Sequence, residues 1–293
     1  MNRISFALLL SAFIAPLPLA AETIQTGYKN AEALALDATT GDLYISVVGE
    51  FGGKDGDGFI ARVPSGATEP EIFINDMNGP KGSEVRDGKL YVVEVGEVLV
   101  IDLKTKETQS ITLPDGGFPL DLTVSAKGVI YVTDPPLNTV YQITDGAVSV
   151  LIEDAALGAP NGIYAMPIGD IMVAGWGVIS DSSTWATSEL GRITRICPNG
   201  SISEQTKPLA NFDGLIRRQD DRGINYVGTG FNDGVLYTAD AHLGHYGVTS
   251  SFDAGISDIA YSGETAFLLN YKTGALHSVP VDQLETPLSL SAR

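Results

Sequence analysis

Residues 120–133 read LDLTVSAKGVIYVT: an apolar stretch, a turn containing glycine, and an apolar-aromatic-apolar triplet. A phrase of this form occurs six times in the chain, and the triplets are aligned on Tyr44, Tyr91, Tyr131, Met172, Tyr226 and Phe267. Consecutive members of this set lie between 40 and 54 residues apart. A repeat at this spacing indicates one supersecondary unit used six times.

Strand hairpins follow most of the repeated phrases. Residues 139–152, TVYQITDGAVSVLI, alternate in polarity on both sides of Asp145-Gly146, and residues 192–205, RITRICPNGSISEQ, do so around Asn199-Gly200. Asp-Gly and Asn-Gly favour tight hairpins because both residues tolerate positive φ. No long stretch has the 3.6-residue period of a helix. Six units of about four antiparallel strands predict an all-β, six-bladed β-propeller.

A single blade cannot bury both of its faces, so residues 22–293 are expected to form one closed propeller domain. A β-sandwich of short strands is the alternative, but it does not explain why the same phrase returns at nearly constant spacing. Cys197 is the only cysteine, which rules out an intrachain disulfide. The fold is therefore expected to depend on packing.

The first 21 residues have the features of a secretory signal peptide. Arg3 precedes an apolar run over residues 4–15, and the small residues Ala20 and Ala21 follow it. The run is shorter than the roughly 20 residues that a membrane-spanning helix needs. We therefore expect residues 1–21 to be removed and the protein to be periplasmic or secreted, without membrane insertion.

The chain has 18 Lys and Arg residues against 36 Asp and Glu residues, for a formal net charge of −18. Such a surface repels nucleic acid and anionic lipid and favours cations. A small molecule is therefore the expected substrate or ligand, and nucleic acid is not.

One residue leads into the first strand of each repeat, where a propeller faces its central channel. These six residues are Glu32, Lys81, Asp121, Asn161, Asp213 and Asp258. A glycine follows three of them, as a chain bending sharply into a strand would require. Carboxylate and amide oxygens suit a hard cation such as Ca²⁺. The alternative is that the Asp and Asn side chains only cap turns between blades.

The segments AEALALD (31–37), PNGI (160–163) and FDGL (212–215) resemble the senescence marker protein/gluconolactonase/luciferin-regenerating enzyme family of six-bladed propellers. DGDGFIARV (55–63) and VAGWG (173–177) are similar to phrases in a secreted subgroup of that family. The resemblance implies a divalent cation held by Glu32, Asn161 and Asp213. It also implies hydrolysis of a lactone or a related ester.

Two residues depart from the family pattern. Leu120 stands where the family has a further asparagine, and leucine cannot coordinate a metal. Either the neighbouring Asp121 or water supplies the fourth ligand, or the site is degraded. The Lys81 ammonium could lie among Glu32, Asp121 and Asp258 and replace the metal's charge, or it could stand at the rim and receive an anionic substrate.

Two functions remain open on these residues. In the first, the protein is an exported metal-dependent hydrolase, most simply with Ca²⁺, in which Asp213 is a ligand and a candidate base or nucleophile and Lys81 is a further catalytic candidate. In the second, it is a non-catalytic periplasmic propeller that binds a small ligand or a protein partner. The departures at Leu120 and Lys81 favour the second.

Other candidate site residues lie outside this set. Trp176 is expected either to form a pocket wall or to pack between blades. His242 and His245 in HLGH lack a third ligand for zinc, but one of them could reach the rim as an acid-base group. The insertion at residues 178–190, VISDSSTWATSEL, shows no strand character and is predicted to fold over the channel mouth and help select the ligand.

Overall fold

The computed structural model describes residues 22–50, 53–114, 116–220, 223–284 and 288–291. The predicted signal peptide, residues 1–21, lies outside this part. More than half of the described residues lie in β-strands, and the described helical structure consists of two 3₁₀ turns at Ala155–Leu157 and Val281–Gln283. No helix of the described residues is long and apolar enough to cross a membrane.

The strands form six antiparallel blades, which confirms the six-bladed β-propeller predicted from the repeats. The first strand, β1 (Glu22–Gln25), belongs to blade 6. Blade 1 contains β2 (Ala31–Leu36), β3 (Leu43–Val47), β4 (Gly58–Val63) and β5 (Glu71–Met77). Blade 2 contains β6 (Ser83–Arg86), β7 (Lys89–Glu94), β8 (Glu97–Asp102) and β9 (Thr108–Thr112). Blade 3 contains β10 (Leu122–Val124), β11 (Ile130–Asp134), β12 (Thr139–Thr144) and β13 (Ala147–Glu153).

Blade 4 carries an additional hairpin. Its four strands are β14 (Pro160–Ala165), β15 (Ile171–Gly175), β18 (Ile193–Ile196) and β19 (Ile202–Gln205). The hairpin strands β16 (Gly177–Asp181) and β17 (Ala186–Leu190) form a separate two-stranded sheet. The expectation that residues 178–190 lack strand character was therefore wrong, because its polar and β-branched residues pair with each other outside the blade.

Blades 5 and 6 complete the ring. Blade 5 contains β20 (Phe212–Asp220), β21 (Gly223–Gly230), β22 (Val235–Asp240), β23 (His245–Ser251) and the C-terminal strand β27 (Leu288–Ser291). Blade 6 contains β24 (Ile256–Ser262), β25 (Thr265–Asn270) and β26 (Ala275–Pro280). Strand β1 pairs with β26 from Glu22↔Ser278 to Gln25↔Ala275, so the N-terminal strand becomes the outer strand of the last blade.

The aligned residues of the six repeats occupy the second strand of every blade. Tyr44 lies in β3, Met172 in β15 and Tyr226 in β21. Side chains of these strands contact the next sheet: Tyr44 of blade 1, for example, packs in one buried cluster with Leu90 and Val92 of blade 2. The apolar phrase repeats because each blade must bury its faces against both neighbours.

Carboxylates also join neighbouring blades close to the channel. Asp258 of blade 6 accepts a hydrogen bond from the Leu34 backbone N–H of blade 1 over 2.7 Å. Asp121 of blade 3 accepts one from the Ile163 N–H of blade 4 over 3.2 Å. Glu84 of blade 2 accepts one from the Val124 N–H of blade 3 over 2.9 Å. These contacts satisfy backbone groups where the blades converge.

Candidate functional site

The first strand of a blade begins with an irregular pair of residues, and this pair sets the geometry of the channel. Strand pairing shifts register between Pro160 and Ile163 in blade 4 and between Phe212 and Leu215 in blade 5. Similar shifts occur in blades 1 and 6. At each shift two successive residues are available to face the channel, one above the other.

Backbone hydrogen bonds identify the matching pairs in blades 2 and 3. The N–H of Lys81 donates to Val93 O as the N–H of Leu120 donates to Thr133 O. The channel residues therefore form two layers. The upper layer contains Glu32, Lys81, Leu120, Asn161, Asp213 and Ser257, and the lower layer contains Ala33, Gly82, Asp121, Gly162, Gly214 and Asp258.

Two members of the predicted ring, Asp121 and Asp258, each lie one residue after the equivalent position of their blade. The upper-layer position is occupied by Leu120 in blade 3 and by Ser257 in blade 6, whereas Asp121 and Asp258 belong to the lower layer. The structure does not bring Asp121 to the position of a fourth ligand beside the other three. Its carboxylate instead accepts backbone hydrogen bonds from Leu122 and Ile163.

The lower-layer glycines serve a different purpose from the one expected. A Cβ at Gly82 would lie 2.1 Å from Asp121 Oδ1, and a Cβ at Gly214 would lie 2.5 Å from Asp258 Oδ1. These glycines are therefore required for close approach of neighbouring blades, and positive φ is not the reason.

A cavity of about 530 Å³ opens above the upper layer, and we call it the channel-mouth cavity. Glu32, Asn161 and Asp213 line it together with Leu120. The remaining lining residues are Trp176, Thr184, Trp185, Ala186, Thr187, Phe231, Asn232, Tyr271 and Lys272. A volume of this size suits a small organic ligand.

Asn161 connects the polar residues of the channel-mouth cavity. Its Nδ2 donates to Asp213 Oδ1 over 2.9 Å and to Phe212 O over 3.2 Å. The amide nitrogen is therefore engaged by the protein, and the carbonyl oxygen is the atom that can serve a ligand. Asn161 is 4% exposed and Asp213 is 8% exposed, so both side chains are fixed in a largely dry environment.

Burial and mutual repulsion perturb the channel carboxyl groups. Burial raises the pKa of Glu32 to about 7, with Lys81 opposing and Asp258 adding to the rise. Burial, followed by the charges of Glu32 and Asp258, holds the pKa of Asp213 well above its usual range. Burial and the charge of Asp258 do the same for Asp121. Such a cluster favours either protons or a cation.

Lys81 does not line the channel-mouth cavity. It is 2% exposed, and its Nζ donates to Gly79 O over 3.0 Å and lies 5.1 Å from the Phe118 ring centroid. Burial lowers the pKa of Lys81 to about 8, although the charges of Glu94 and Glu32 oppose this. Lys81 is thus a buried ammonium that is stabilised by the charges of two glutamates. Glu94 was not among the predicted site residues, because no repeat position singles it out.

The β16–β17 hairpin supplies one wall of the cavity, as predicted for this insertion. Residues 184–187 line the cavity beside Trp176. Trp176 Nε1 donates to Trp185 O over 2.8 Å, and Asn211 Nδ2 donates to Trp176 O over 2.8 Å. Both parts of the expectation for Trp176 are met, because the ring lines the cavity and also packs against Phe231 of blade 5.

Several lining residues were absent from the sequence-based set. Phe231 and Tyr271 each follow the last residue of a second strand, as Trp176 follows Gly175. An alignment extended by one residue past each second strand would have found this signal. Trp185 lies in the insertion, where no repeat offers a comparison.

The two histidines lie away from the channel. The His242 side chain is 77% exposed, and its Nδ1 lies 3.1 Å from a nitrogen of Arg195. The His245 side chain is 86% exposed and lies 2.9 Å from Asp240. Neither lines the channel-mouth cavity. Among the described residues, no three His, Cys, Asp or Glu side chains are grouped to hold a metal, and the upper layer contains only two acids beside its asparagine.

A second cavity of about 210 Å³ lies on the other side of the lower layer and is lined by Asp121 and Asp258 among others. Between the two cavities the channel narrows to about 10 Å³, lined by residues of both layers. This is about the space of one water molecule. Of the two layers, a ligand in the channel-mouth cavity therefore contacts only the upper one.

Fold and site together define a six-bladed β-propeller with a polar, aromatic-walled cavity at one end of its channel. No protein-family model and no curated protein matches the chain. Among solved structures, it is similar to a gluconolactonase from Xanthomonas campestris, with 16% identity, a TM-score of 0.65 and 89% of each chain covered.

Proteins of other functions have the same fold. Virginiamycin B lyase from Staphylococcus aureus is similar at 14% identity, with a TM-score of 0.60 and coverage of 88% of this chain and 98% of the lyase. A chain of the nidogen/laminin complex is similar at 16% identity, with a TM-score of 0.64 and coverage of 80% and 90%. At these identities the similarity shows the propeller fold alone.

Proposed function

We propose that this protein is an exported, metal-dependent hydrolase that acts on a lactone or a related ester. The observation that carries the proposal is the placement of Glu32, Asn161 and Asp213, from three blades, on the wall of one cavity. Export to the periplasm or beyond is proposed from residues 1–21. The gluconolactonase among the structural neighbours supports the same reaction class by analogy.

The donor set fits a hard cation, with Ca²⁺ as the preferred ion. Glu32, Asn161 and Asp213 offer carboxylate and carbonyl oxygens, the ligands that Ca²⁺ uses. Leu120 offers none, so water and substrate would complete the coordination. When bound, the cation would supply Lewis-acid polarisation of the substrate carbonyl. It would also relieve the repulsion between the two buried carboxylates.

The protein's own groups would position and activate the reactants. One carboxylate oxygen of Asp213 accepts a hydrogen bond from Asn161 Nδ2, and this bond fixes the orientation of the second carboxylate oxygen. The Asp213 carboxylate lines the cavity and is the candidate proton acceptor for the attacking water. Lys81 is buried behind the cavity and favours ionised Glu32, so we propose it as a positioning residue.

The test is metal content and lactone hydrolysis of the purified protein after dialysis against metal-free buffer. We expect about one divalent ion per chain, since one oxygen set is present. Asn161→Ala should lose both metal and turnover. Asn232→Ala is the matched control, because Asn232 also lines the cavity but bonds to Asn211. Undiminished turnover by metal-free protein would overturn the proposal.

A second function is favoured by Leu120 and Lys81. An apolar residue occupies one ligand position, and a built-in ammonium lies near Glu32. On this reading the protein is a non-catalytic propeller that binds a small molecule or a periplasmic protein. Thermal stabilisation by lactones, esters or phosphotriesters without product formation would favour it over the hydrolase.

A further inference from the structure

Five aromatic rings form a continuous arc around the channel mouth. The ring centroids of Phe118 and Trp185 lie 5.8 Å apart, and those of Trp185 and Trp176 lie 6.4 Å apart. The centroids of Trp176 and Phe231 are separated by 5.6 Å, and those of Phe231 and Tyr271 by 5.8 Å. The arc draws on blades 3, 4, 5 and 6, and all its rings except Phe118 line the cavity.

Several polar groups between these rings are already hydrogen-bonded to the protein. Thr187 Oγ1 accepts from Asn211 Nδ2, and Asn232 Nδ2 donates to Asn211 Oδ1. The indole N–H of Trp176 donates a hydrogen bond to Trp185 O. A polyhydroxylated ligand needs a partner for each hydroxyl that it buries, and unpaired hydroxyls are costly. The wall therefore favours an apolar ligand surface.

Two rings of the arc already have a lysine ammonium group over them. Lys81 Nζ lies 5.1 Å from the Phe118 centroid, and Lys272 Nζ lies 5.0 Å from the Phe231 centroid. At these two rings the ammonium group uses the electron-rich face that a cationic ligand would need. A neutral, flat ring meets no such competition, because it can pack edge-to-face or offset against the arc.

Trp185 stands out by its backbone conformation. It ends the turn of the β16–β17 hairpin with φ +56°, a left-handed conformation in which glycine is the usual residue. A bulky residue is disfavoured there. The large Trp185 ring therefore occupies a position that suits a smaller residue better, and it lines the cavity. This indicates a role in contacting a ligand.

Building on the proposed hydrolase function, we propose that the substrate is a lactone or ester bearing a flat aryl group. Trp185 is the residue that selects this group, and Glu32, Asn161 and Asp213 face the ester. The cavity of about 530 Å³ has room for both parts of such a molecule.

Three six-membered lactones test the inference: dihydrocoumarin, δ-valerolactone and glucono-δ-lactone, which differ in carrying an aryl ring, no substituent, or hydroxyl groups. Dihydrocoumarin also has the better leaving group, a phenol, so the inference is tested by how its kcat/KM relative to δ-valerolactone changes when Trp185 is replaced. Trp185→Gly should lower the kcat/KM ratio of dihydrocoumarin to δ-valerolactone by about tenfold, through the KM for dihydrocoumarin, because one ring-stacking contact is lost.

Val178→Ala is the matched control, because Val178 lies on the same hairpin, is 47% exposed and does not line the cavity. It should change nothing. A preference for glucono-δ-lactone, or an equal loss for all three lactones in Trp185→Gly, would overturn the inference while leaving hydrolysis intact.

Equilibrium binding separates this inference from the hydrolase proposal. If no lactone is turned over, the hydrolase proposal fails, and calorimetry with the ring-opened product of dihydrocoumarin and with gluconate decides the inference. Binding of the aryl product alone, weakened about tenfold in Trp185→Gly, supports it. Equal binding of both products, no binding of the aryl product, or insensitivity to Trp185→Gly contradicts it.

Discussion

Asn161 Nδ2 donates a hydrogen bond to Asp213 Oδ1 across the boundary between blades 4 and 5, over 2.9 Å. The bond joins the first strands of two blades that are 52 residues apart in the chain. The bond fixes the buried Asp213 carboxylate, and it leaves the carbonyl oxygen of Asn161 as the amide atom that can contact a ligand.

Asn161→Asp should destabilise the metal-free protein, because it adds a buried negative charge beside Asp213. The change replaces the donor to Asp213 by a second carboxylate, so the free energy of unfolding without metal should fall by about 2 kcal/mol. Calcium should restore most of the loss, since it pairs with both groups. Thermal unfolding with EDTA and with calcium measures this. A variant equally unstable in both buffers would argue against a cation at this position.

Leu120→Asn should strengthen divalent-cation binding. Leu120 is the upper-layer counterpart of Asn161 and lines the same cavity, so an amide there adds an oxygen ligand. We expect the calcium Kd from calorimetry to fall by about tenfold. Leu120→Ala is the control for lost packing and should leave the Kd unchanged. The same Kd in Leu120→Asn would place the cation elsewhere.

Asp42 provides a pH-dependent contribution to stability. Burial opposes its ionisation, but hydrogen bonds from Ser65 N and the Arg62 guanidinium are stronger together and lower the pKa of Asp42 below its usual 3.8. Its contribution is therefore complete above that pH and is lost as the pH falls below it.

Asp42→Asn should accordingly reduce the free energy of unfolding by about 2 kcal/mol at neutral pH. The difference from the unsubstituted protein should shrink as the pH falls below 3.8. Urea unfolding from pH 3 to 7 measures both proteins. A difference that does not change with pH would mean that Asp42 acts through packing and not through its charge.

The β16–β17 hairpin should be removable without loss of the propeller. Its strands form their own sheet, and β15 pairs directly with β18. Replacing residues 178–189 by two glycines should leave the midpoint of thermal unfolding within about 5 °C. Binding of an aryl ligand should weaken by about tenfold or more, because the Trp185 ring is lost. Collapse of the fold would show that the hairpin supports blade 4.

Strand β1 should contribute more to stability than β27. The first completes blade 6 and closes the ring, whereas the second adds a fifth strand to blade 5. Deleting residues 22–25 should lower the midpoint of thermal unfolding by about 5 °C or more, and deleting residues 288–293 should lower it less. Equal effects would mean that ring closure does not depend on β1.

The repeat made the fold predictable, but it did not set the register at the channel. Aligning the phrases placed Asp121 and Asp258 in one ring with Asn161, whereas the structure puts Leu120 and Ser257 there. The first strands are irregular at this point, and a slip of one residue moves a side chain to the other layer. A polar residue near a strand start therefore could not be assigned to a layer from sequence.

The six blades, their antiparallel strands and the polar residues near the channel could be predicted from the sequence, because strand periodicity and turn chemistry are local properties. Which of these residues share a cavity depends on long-range contacts between blades. Lys81 lies behind the cavity, and Trp185 packs between Phe118 of blade 3 and Trp176 in an arc of rings that continues into blades 5 and 6. Such neighbours are far apart in the chain, and they meet only because the ring of blades closes.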